Sequence, residues 1–238
     1  MKKILFSLIA LVCSMSMNAQ VMKIMKNGQD TPEETYYGSD YYVVFEEVGK
    51  TGTAKATIDG SKVDVNWVQL WEDGPKFAEF NVGVTDGKAE SCGGYYAWGG
   101  NLDKGDDHNT GNANLTGDND TATKLWGSAW RMPTKAELDD LLAKCDVTWT
   151  DNYKETGVKG RIYTGKGDYA SNSIFLPAAG YYNGSVRQNN TWGYYWSSTP
   201  NNSNTAHTLS FKWNSQDVTY SYRNGNGDPL SVRAVLAE

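Results

Sequence analysis

Several groupings of side chains in this sequence have types and spacings that could support chemistry. Asp118, Asn119 and Asp120, with Asp103, Asp106 and Asp107 upstream, gather hard oxygen donors of the kind a calcium ion takes. An EF-hand loop needs a glycine at its sixth position and a glutamate at its twelfth, and neither is in place. The stretch therefore reads first as a solvated polar loop, with its metal content open. Gly160 to Lys166 runs G-R-I-Y-T-G-K and matches most of a phosphate-cradling loop. Gly167 stands where a hydroxyl should hold magnesium, no apolar run opens a helix behind it, and the alternation of Val158, Gly160, Ile162 and Thr164 predicts a strand running into a glycine turn. His108 and His207 are the two imidazoles. No nucleophile elbow lies between them, so acyl-transfer chemistry has no sequence support. No cofactor is expected.

The strongest chemical signal is aromatic. Between Tyr181 and Gly227 the chain places Tyr181, Tyr182, Trp192, Tyr194, Tyr195, Trp196, Trp213, Tyr220 and Tyr222 among many Asn and Ser residues. Rigid rings beside adaptable amides make up the composition of a binding face, and the same rings can stack on sugars while the amides bond hydroxyls. About half of these rings belong to a core, chiefly within Tyr194 to Trp196 and Leu209 to Trp213.

Such a face needs a scaffold. Short β-prone runs separated by Gly, Asn and Asp turns recur at 63–70, 77–82, 95–98, 158–164, 173–176, 194–197, 205–213, 218–222 and 231–236. One helix is predicted, over Thr134 to Lys144. Thr134 and Glu137 form a capping box, Pro133 blocks an earlier start, and Leu138, Leu141 and Leu142 make an apolar stripe. Trp126 and Trp130 are spaced to anchor the start of this helix, and Arg131 is expected to bond backbone carbonyls near the C-terminal strand. Asn101 to Thr123 reads as a long polar loop.

Toward the N-terminus, Lys2 and Lys3, the apolar run Ile4 to Val12 and Met17-Asn18-Ala19 predict a secretory signal peptide over 1–19. Residues 20–60 read as a hairpin-like element followed by a Gly/Thr/Lys connector from Gly49 to Gly60, and 61–238 as the main domain. No later run is apolar enough to span a membrane. The formal net charge of −6 becomes more negative once the leader's lysines leave, which argues against a nucleic-acid partner. Cys92 and Cys145 remain, either bridged in an oxidising compartment or sitting as small buried hydrophobes.

Longer strings carry a resemblance. Trp126 to Leu138 (W-G-S-A-W-R-M-P-T-K-A-E-L), Ser173 to Tyr181 (S-I-F-L-P-A-A-G-Y), Gly193 to Ser198 (G-Y-Y-W-S-S) and Ser231 to Val235 (S-V-R-A-V) resemble the Fibrobacter succinogenes major paralogous domain family, which is abundant in Bacteroides. Asn81 to Gly83 and Tyr95 to Gly99 fit its earlier motifs, and the likeness covers about Val63 to Leu236. More distantly, Arg131 to Glu137 and Val232-Arg233 are similar to marks of the formylglycine-generating branch of C-type-lectin-like folds. The enzymes of that branch use cysteines late in the chain, and here none follows Cys145.

The resemblance implies an α+β fold: a C-type-lectin-like mixed sheet with one main helix, many short strands and long loops. The function expected is that of a non-enzymatic module, secreted to the periplasm, cell surface or exterior, for a glycan or a protein ligand of the envelope. The rivals are a structural envelope component and an enzyme of the formylglycine-generating branch lacking its late cysteines. Ligand contact is expected from the turns of the C-terminal third: Tyr181, Tyr182, Asn183, Arg187, Asn189, Asn190, Trp192, Asn201, Asn202, Asn214, Tyr220, Tyr222, Arg223 and Asn224.

Overall fold

The chain divides after Lys50 into two units. A computed structural model describes residues 20–26, 41–47, 50–99, 113–222 and 227–237. The predicted leader, His108 and the acidic residues Asp103, Asp106 and Asp107 lie outside them. In the first unit β1 (Gln20–Lys26) and β2 (Tyr41–Glu47) pair antiparallel, Gln20 opposite Glu47 and Lys26 opposite Tyr41, which is the predicted hairpin.

The connector expected after Gly49 is instead the first strand of the second unit. Strand β3 (Thr51–Ile58) pairs along its whole length with β4 (Ser61–Gln69) through the two-residue turn Asp59-Gly60. Both turn residues take positive φ, 49° and 76°, the backbone that matches strand twist in a tight hairpin. Small apolar residues at alternate positions, Ala54, Ala56 and Ile58, face the core, and their small size hid the strand among Thr and Lys. The expected boundary at residue 60 therefore moves to residue 50.

The remaining elements are β5 (Lys76–Ala78), helix α1 (Thr121–Trp126), β6 (Trp130–Arg131), helix α2 (Lys135–Lys144), β7 (Asp146–Thr150), β8 (Gly160–Thr164), β9 (Ser173–Pro177), β10 (Tyr181–Tyr182), β11 (Val186–Arg187), β12 (Gly193–Pro200), β13 (Thr205–Lys212), β14 (Ser215–Tyr222) and β15 (Val235–Leu236). The fold is α+β and mostly strand. Five strands run in the order β3-β4-β5-β15-β6, three as β7-β8-β9 and three as β12-β13-β14, with β10-β11 a separate small hairpin. The glycine-flanked run at Gly160 is strand β8, as its alternation requires.

Two cores lie on opposite faces of the β12-β13-β14 sheet, because successive side chains on a strand point opposite ways. Tyr195, Leu209, Phe211 and Val218 pack with Leu138 and Leu141 of α2. Trp196 and Ala206 pack with Trp98, Trp126, Trp130 and Met132. Each of these buried indoles that donates does so to a carbonyl: Trp98 to Ser197 at 2.7 Å, Trp196 to Tyr96 at 2.8 Å and Trp130 to Lys55 at 2.9 Å.

Helix α2 has the predicted capping box, with Thr134 Oγ1 accepting from Glu137 N–H and the Glu137 carboxylate from Thr134 N–H. The polar loop expected to run to Thr123 ends earlier. Asp120, 1% exposed, caps α1 by accepting from Ala122 and Thr123 N–H, and its second oxygen accepts from Met132 N–H at 2.8 Å. Its oxygens are thus committed to backbone donors rather than to a cation, and among the described residues no group of three or more acidic, His or Cys side chains is placed to hold a metal.

Arg131 departs from expectation. It forms a bidentate pair with Glu137, Nη2 to Oε1 at 2.6 Å and Nη1 to Oε2 at 2.9 Å, and Nη1 also donates to the carbonyl of the adjacent Met132. The role assigned to it belongs to Arg233, 2% exposed. Arg233 donates to Asn81 Oδ1 at 2.9 Å, to the carbonyls of Ala78 at 3.0 Å and Glu79 at 2.9 Å, and to the Phe175 carbonyl at 2.9 Å. Burial lowers its pKa to about 10, so it stays a cation at neutral pH. Asn81 in turn donates to Tyr195 Oη, and Tyr195 donates to the Pro177 carbonyl at 2.7 Å. One network therefore joins β5, β9 and β12.

Both cysteines of the second unit are free thiols, Cys145 in the α2 core and Cys92 in a loop. Among the described residues no helix is long and apolar enough to cross a membrane.

Replacing Arg233 with alanine strands several buried carbonyls and leaves a cavity; urea titration is expected to show a loss of about 3–5 kcal/mol or no soluble protein. A loss below about 1 kcal/mol would contradict the network's importance. Glu137 supplies a pH test. Burial raises its pKa, but Arg131 and the Thr134 donors outweigh burial and hold the carboxyl below its ordinary 4.5. A depressed pKa contributes stability above the unfolded value and loses it as pH falls through the folded one. The stability gap between the natural chain and Glu137→Gln is thus expected to be full at pH 7 and to close below pH 4.5; a gap independent of pH would exclude the ion pair as its source.

Candidate ligand-binding cleft

Residues Gly180 to Trp192 leave the core at Ala178 and return to it at Gly193, and the chain holds this excursion with backbone bonds. Asn190 N–H donates to the Ala178 carbonyl at 2.7 Å, Gly180 N–H to Trp192 at 2.7 Å, and the Gln188 carbonyl accepts from Thr191 and Trp192, both at 3.0 Å. Gln188 and Asn190 both sit at positive φ, 55° and 59°, in the left-handed region that side chains avoid. The backbone bonds just described hold these two residues in that costly conformation.

Beside this turn lies an open cleft of about 270 Å³, lined by Tyr181, Gln188, Tyr194, Ser221, Asp228 and Leu230. Its floor follows from strand alternation. Tyr195 points into the α2 core, so Tyr194 points to the opposite face, where Ser221 of β14 also points. The far wall is the segment before β15, tied down by Tyr182 N–H to the Pro229 carbonyl at 3.0 Å and by the paired backbones of Leu230 and Tyr96.

The rings here order one another. Tyr181 meets Tyr194 edge to face at 5.9 Å, Trp192 stacks on Tyr194 at 5.5 Å and 7°, and the Lys212 ammonium lies 4.8 Å from the centre of the Trp192 ring. Tyr194 Oη donates to Gln188 Oε1 at 3.1 Å. Burial, and after it the neighbouring Tyr181, raises the Tyr194 pKa, so its hydroxyl remains a donor at neutral pH. The cleft thus offers two phenol rings and Leu230 as apolar walls, with an amide, a hydroxyl and the Asp228 carboxylate as polar groups.

The fourteen expected contact residues do not converge on one surface. Tyr181 lines the cleft and Trp192 backs it. Tyr182, Asn183 and Arg187 are exposed on the β10-β11 hairpin beside it, with Tyr182 6.3 Å from Tyr95. Asn189 and Asn190 are spent on structure: Asn190 Oδ1 accepts from Lys159 N–H and Asn189 Oδ1 from Asn190 N–H. Asn201 and Asn202 shape the β12-β13 turn by bonding Thr205. Asn214 is in the β13-β14 turn at the other end of that sheet. Tyr220 and Tyr222 are exposed on β14, on the face opposite Ser221, because they share parity with Val218. Arg223 and Asn224 lie outside the described residues.

Gln188, Tyr194, Ser221, Asp228 and Leu230 were not anticipated. Tyr194 was legible in principle, since Tyr195 and Trp196 cannot both share its direction. Asp228 and Leu230 reach the cleft only through the fold. Trp213, grouped with the core by sequence, is 67% exposed.

His207 is half-buried on β13, its Nδ1 3.2 Å from the Thr219 carbonyl. Burial raises both thiols, Cys145 to about 12. Neither carries the depressed pKa of an activated nucleophile.

A family model described as a domain of unknown function (DUF8237) matches residues 146–235, less than half of the chain. It runs from β7 into β15 and takes in every residue lining the cleft. No curated protein and no solved structure matched the chain.

Gly180 tests the excursion. Its φ is +70°, and a Cβ there would run into the Arg187 carbonyl oxygen. Gly180→Ala is expected to cost more than about 1 kcal/mol and to loosen the β10-β11 hairpin, read as lower melting temperature and faster amide exchange at Tyr182 and Arg187. Unchanged exchange there would mean that the excursion is not held as described.

Proposed function

We propose that the chain is a non-enzymatic, secreted binding module of the major paralogous kind, on a C-type-lectin-like scaffold, and that a glycan occupies the cleft. The observation that supports this most is the mixture at one place of ordered rings and short polar groups. A sugar ring presents C–H faces that pack on Tyr181, Tyr194 and Leu230, and rim hydroxyls that bond Gln188, Ser221 and Asp228. The strained turn at Gln188 and Asn190 supports it too, because a pre-ordered site loses less entropy on binding. The signal-peptide pattern at the N-terminus supports export, and the motif strings support the family. A binding role fits thiols raised by burial and a cleft with a single carboxylate better than the thiol-dependent oxidation of the formylglycine-generating branch.

A glycan array probed with the domain lacking the leader, followed by calorimetry on any hit, tests the proposal. Tyr181→Ala is expected to weaken binding by about 2 kcal/mol, near thirtyfold, and Asp228→Asn by about 1 kcal/mol or more, whereas Asn202→Ala, remote on the β12-β13 turn, should change little. A hit whose affinity ignores Tyr181 and Asp228 would place the site elsewhere.

A further inference from the structure

The hairpin turn between β13 and β14 has only two residues, Trp213 and Asn214, flanked by the pair Lys212 and Ser215. Two-residue hairpin turns favour positive φ and residues such as Asn-Gly, as at Asp59-Gly60. Here neither turn residue takes positive φ, and the first is a tryptophan. The backbone is thus in a turn poorly matched to strand twist. What holds it is Arg161 of β8, 7% exposed, which donates to the Lys212 carbonyl at 2.8 Å and 3.2 Å, to Ser215 at 3.3 Å and to Trp213 at 3.5 Å. Desolvation lowers the Arg161 pKa, the mark of a guanidinium buried at a cost.

A buried cation spent on a disfavoured surface turn has one visible product, a fixed backbone beneath an indole that is 67% exposed. Close to Trp213 in the chain stand Asn214, Ser215 and Asp217, all exposed and all of types that can hydrogen-bond. A protein hot spot sits in a well-packed, desolvated pocket ringed by contacts that exclude water. One flat ring amid short polar groups suits a sugar ring instead, stacked by its C–H face with its hydroxyls outward. The turn is also joined to the cleft: Lys212, next to Trp213, covers Trp192, which stacks on the cleft tyrosine Tyr194.

We infer that Trp213 is a second sugar-stacking point, and that the ligand is an oligosaccharide chain long enough to hold one ring in the Tyr181-Tyr194 cleft and another on the β13-β14 turn. This rests on the glycan reading of the cleft. The test is calorimetry of a series from monosaccharide to hexasaccharide, built from whichever neutral hexose or N-acetylhexosamine an array identifies, with melting temperatures in parallel. Affinity is expected to rise with length. Trp213→Ala should weaken the long members about tenfold and leave the monosaccharide unchanged, Trp213→Phe should restore much of the loss, and Tyr181→Ala should weaken every member. Length-independent affinity that Tyr181→Ala abolishes and Trp213→Ala leaves alone overturns the second point and spares the cleft. Equal weakening of all lengths by Trp213→Ala with a lowered melting temperature also overturns it, by making the indole structural. Failure of every saccharide to bind overturns the glycan reading and this inference together.

Discussion

A buried positive charge held directly by neutral oxygens sits at the junction of the sheets. Arg233 is fully buried, and its hydrogen bonds run to four neutral oxygens, three carbonyls and one amide. Leaving a guanidinium in a dry interior is among the costlier things a fold can do, so the dipoles that solvate it have to stay where they are. Those oxygens belong to the end of β5 and the residues after it, and to β9, while Asn81 passes the constraint to Tyr195 on β12. The three larger groups of strands in the second unit are thereby fixed to one another by groups that cannot be moved apart without exposing an unpaired cation or unpaired carbonyls.

The cleft inherits its order from that junction. Tyr195 is bonded at its hydroxyl to Asn81 and Pro177, which leaves Tyr194 a single direction, toward the cleft. Pro177 ends β9, and the excursion that carries Tyr181, Gln188 and Trp192 begins at the next residue. Surface rings that would otherwise sample many rotamers are therefore attached at short range to the most constrained residues of the molecule. Arg161 repeats the device on a smaller scale, tying β8 to the turn under Trp213.

Patterns carried by neighbouring residues were legible in the sequence. The capping box of Thr134 and Glu137, the strand at Gly160, the β1-β2 pairing and most strands of the C-terminal third follow from local spacing, and the structure has them. Strand β7 was missed because Asp146 to Thr150 is short and only half-buried. Strand β3 was missed because its core-facing residues are mostly alanines. Arginine roles were exchanged because a side chain as long as Arg131 or Arg233 finds its partners through tertiary approach, and no spacing distinguishes one guanidinium that meets a glutamate six residues on from another that meets carbonyls more than fifty residues away. The contact set suffered likewise. Asn189, Asn190, Asn201 and Asn202 have the composition of a binding surface, yet three of their amides bond within their own turns and that of Asn190 ties down Lys159, uses that composition cannot separate from recognition.

Strand β12 interleaves two roles residue by residue: Tyr194 and Trp196 on one side, Tyr195, opposite Leu209 of β13, on the other. A one-residue insertion or deletion within Gly193 to Trp196 would exchange the cleft-facing and core-facing sets in a single step and detach the Asn81 bond as well. Changes of length are therefore tolerated best in segments whose register is not counted by the core. The β10-β11 turn at Asn183 to Ser185 and the β12-β13 turn at Asn201 to Asn204 are two such segments, the latter following an irregularity in pairing between Trp196 and Pro200. The scaffold can thus change the reach of its rim by insertion while it can change the cleft floor only by substitution, so that rim and floor answer to different kinds of mutation.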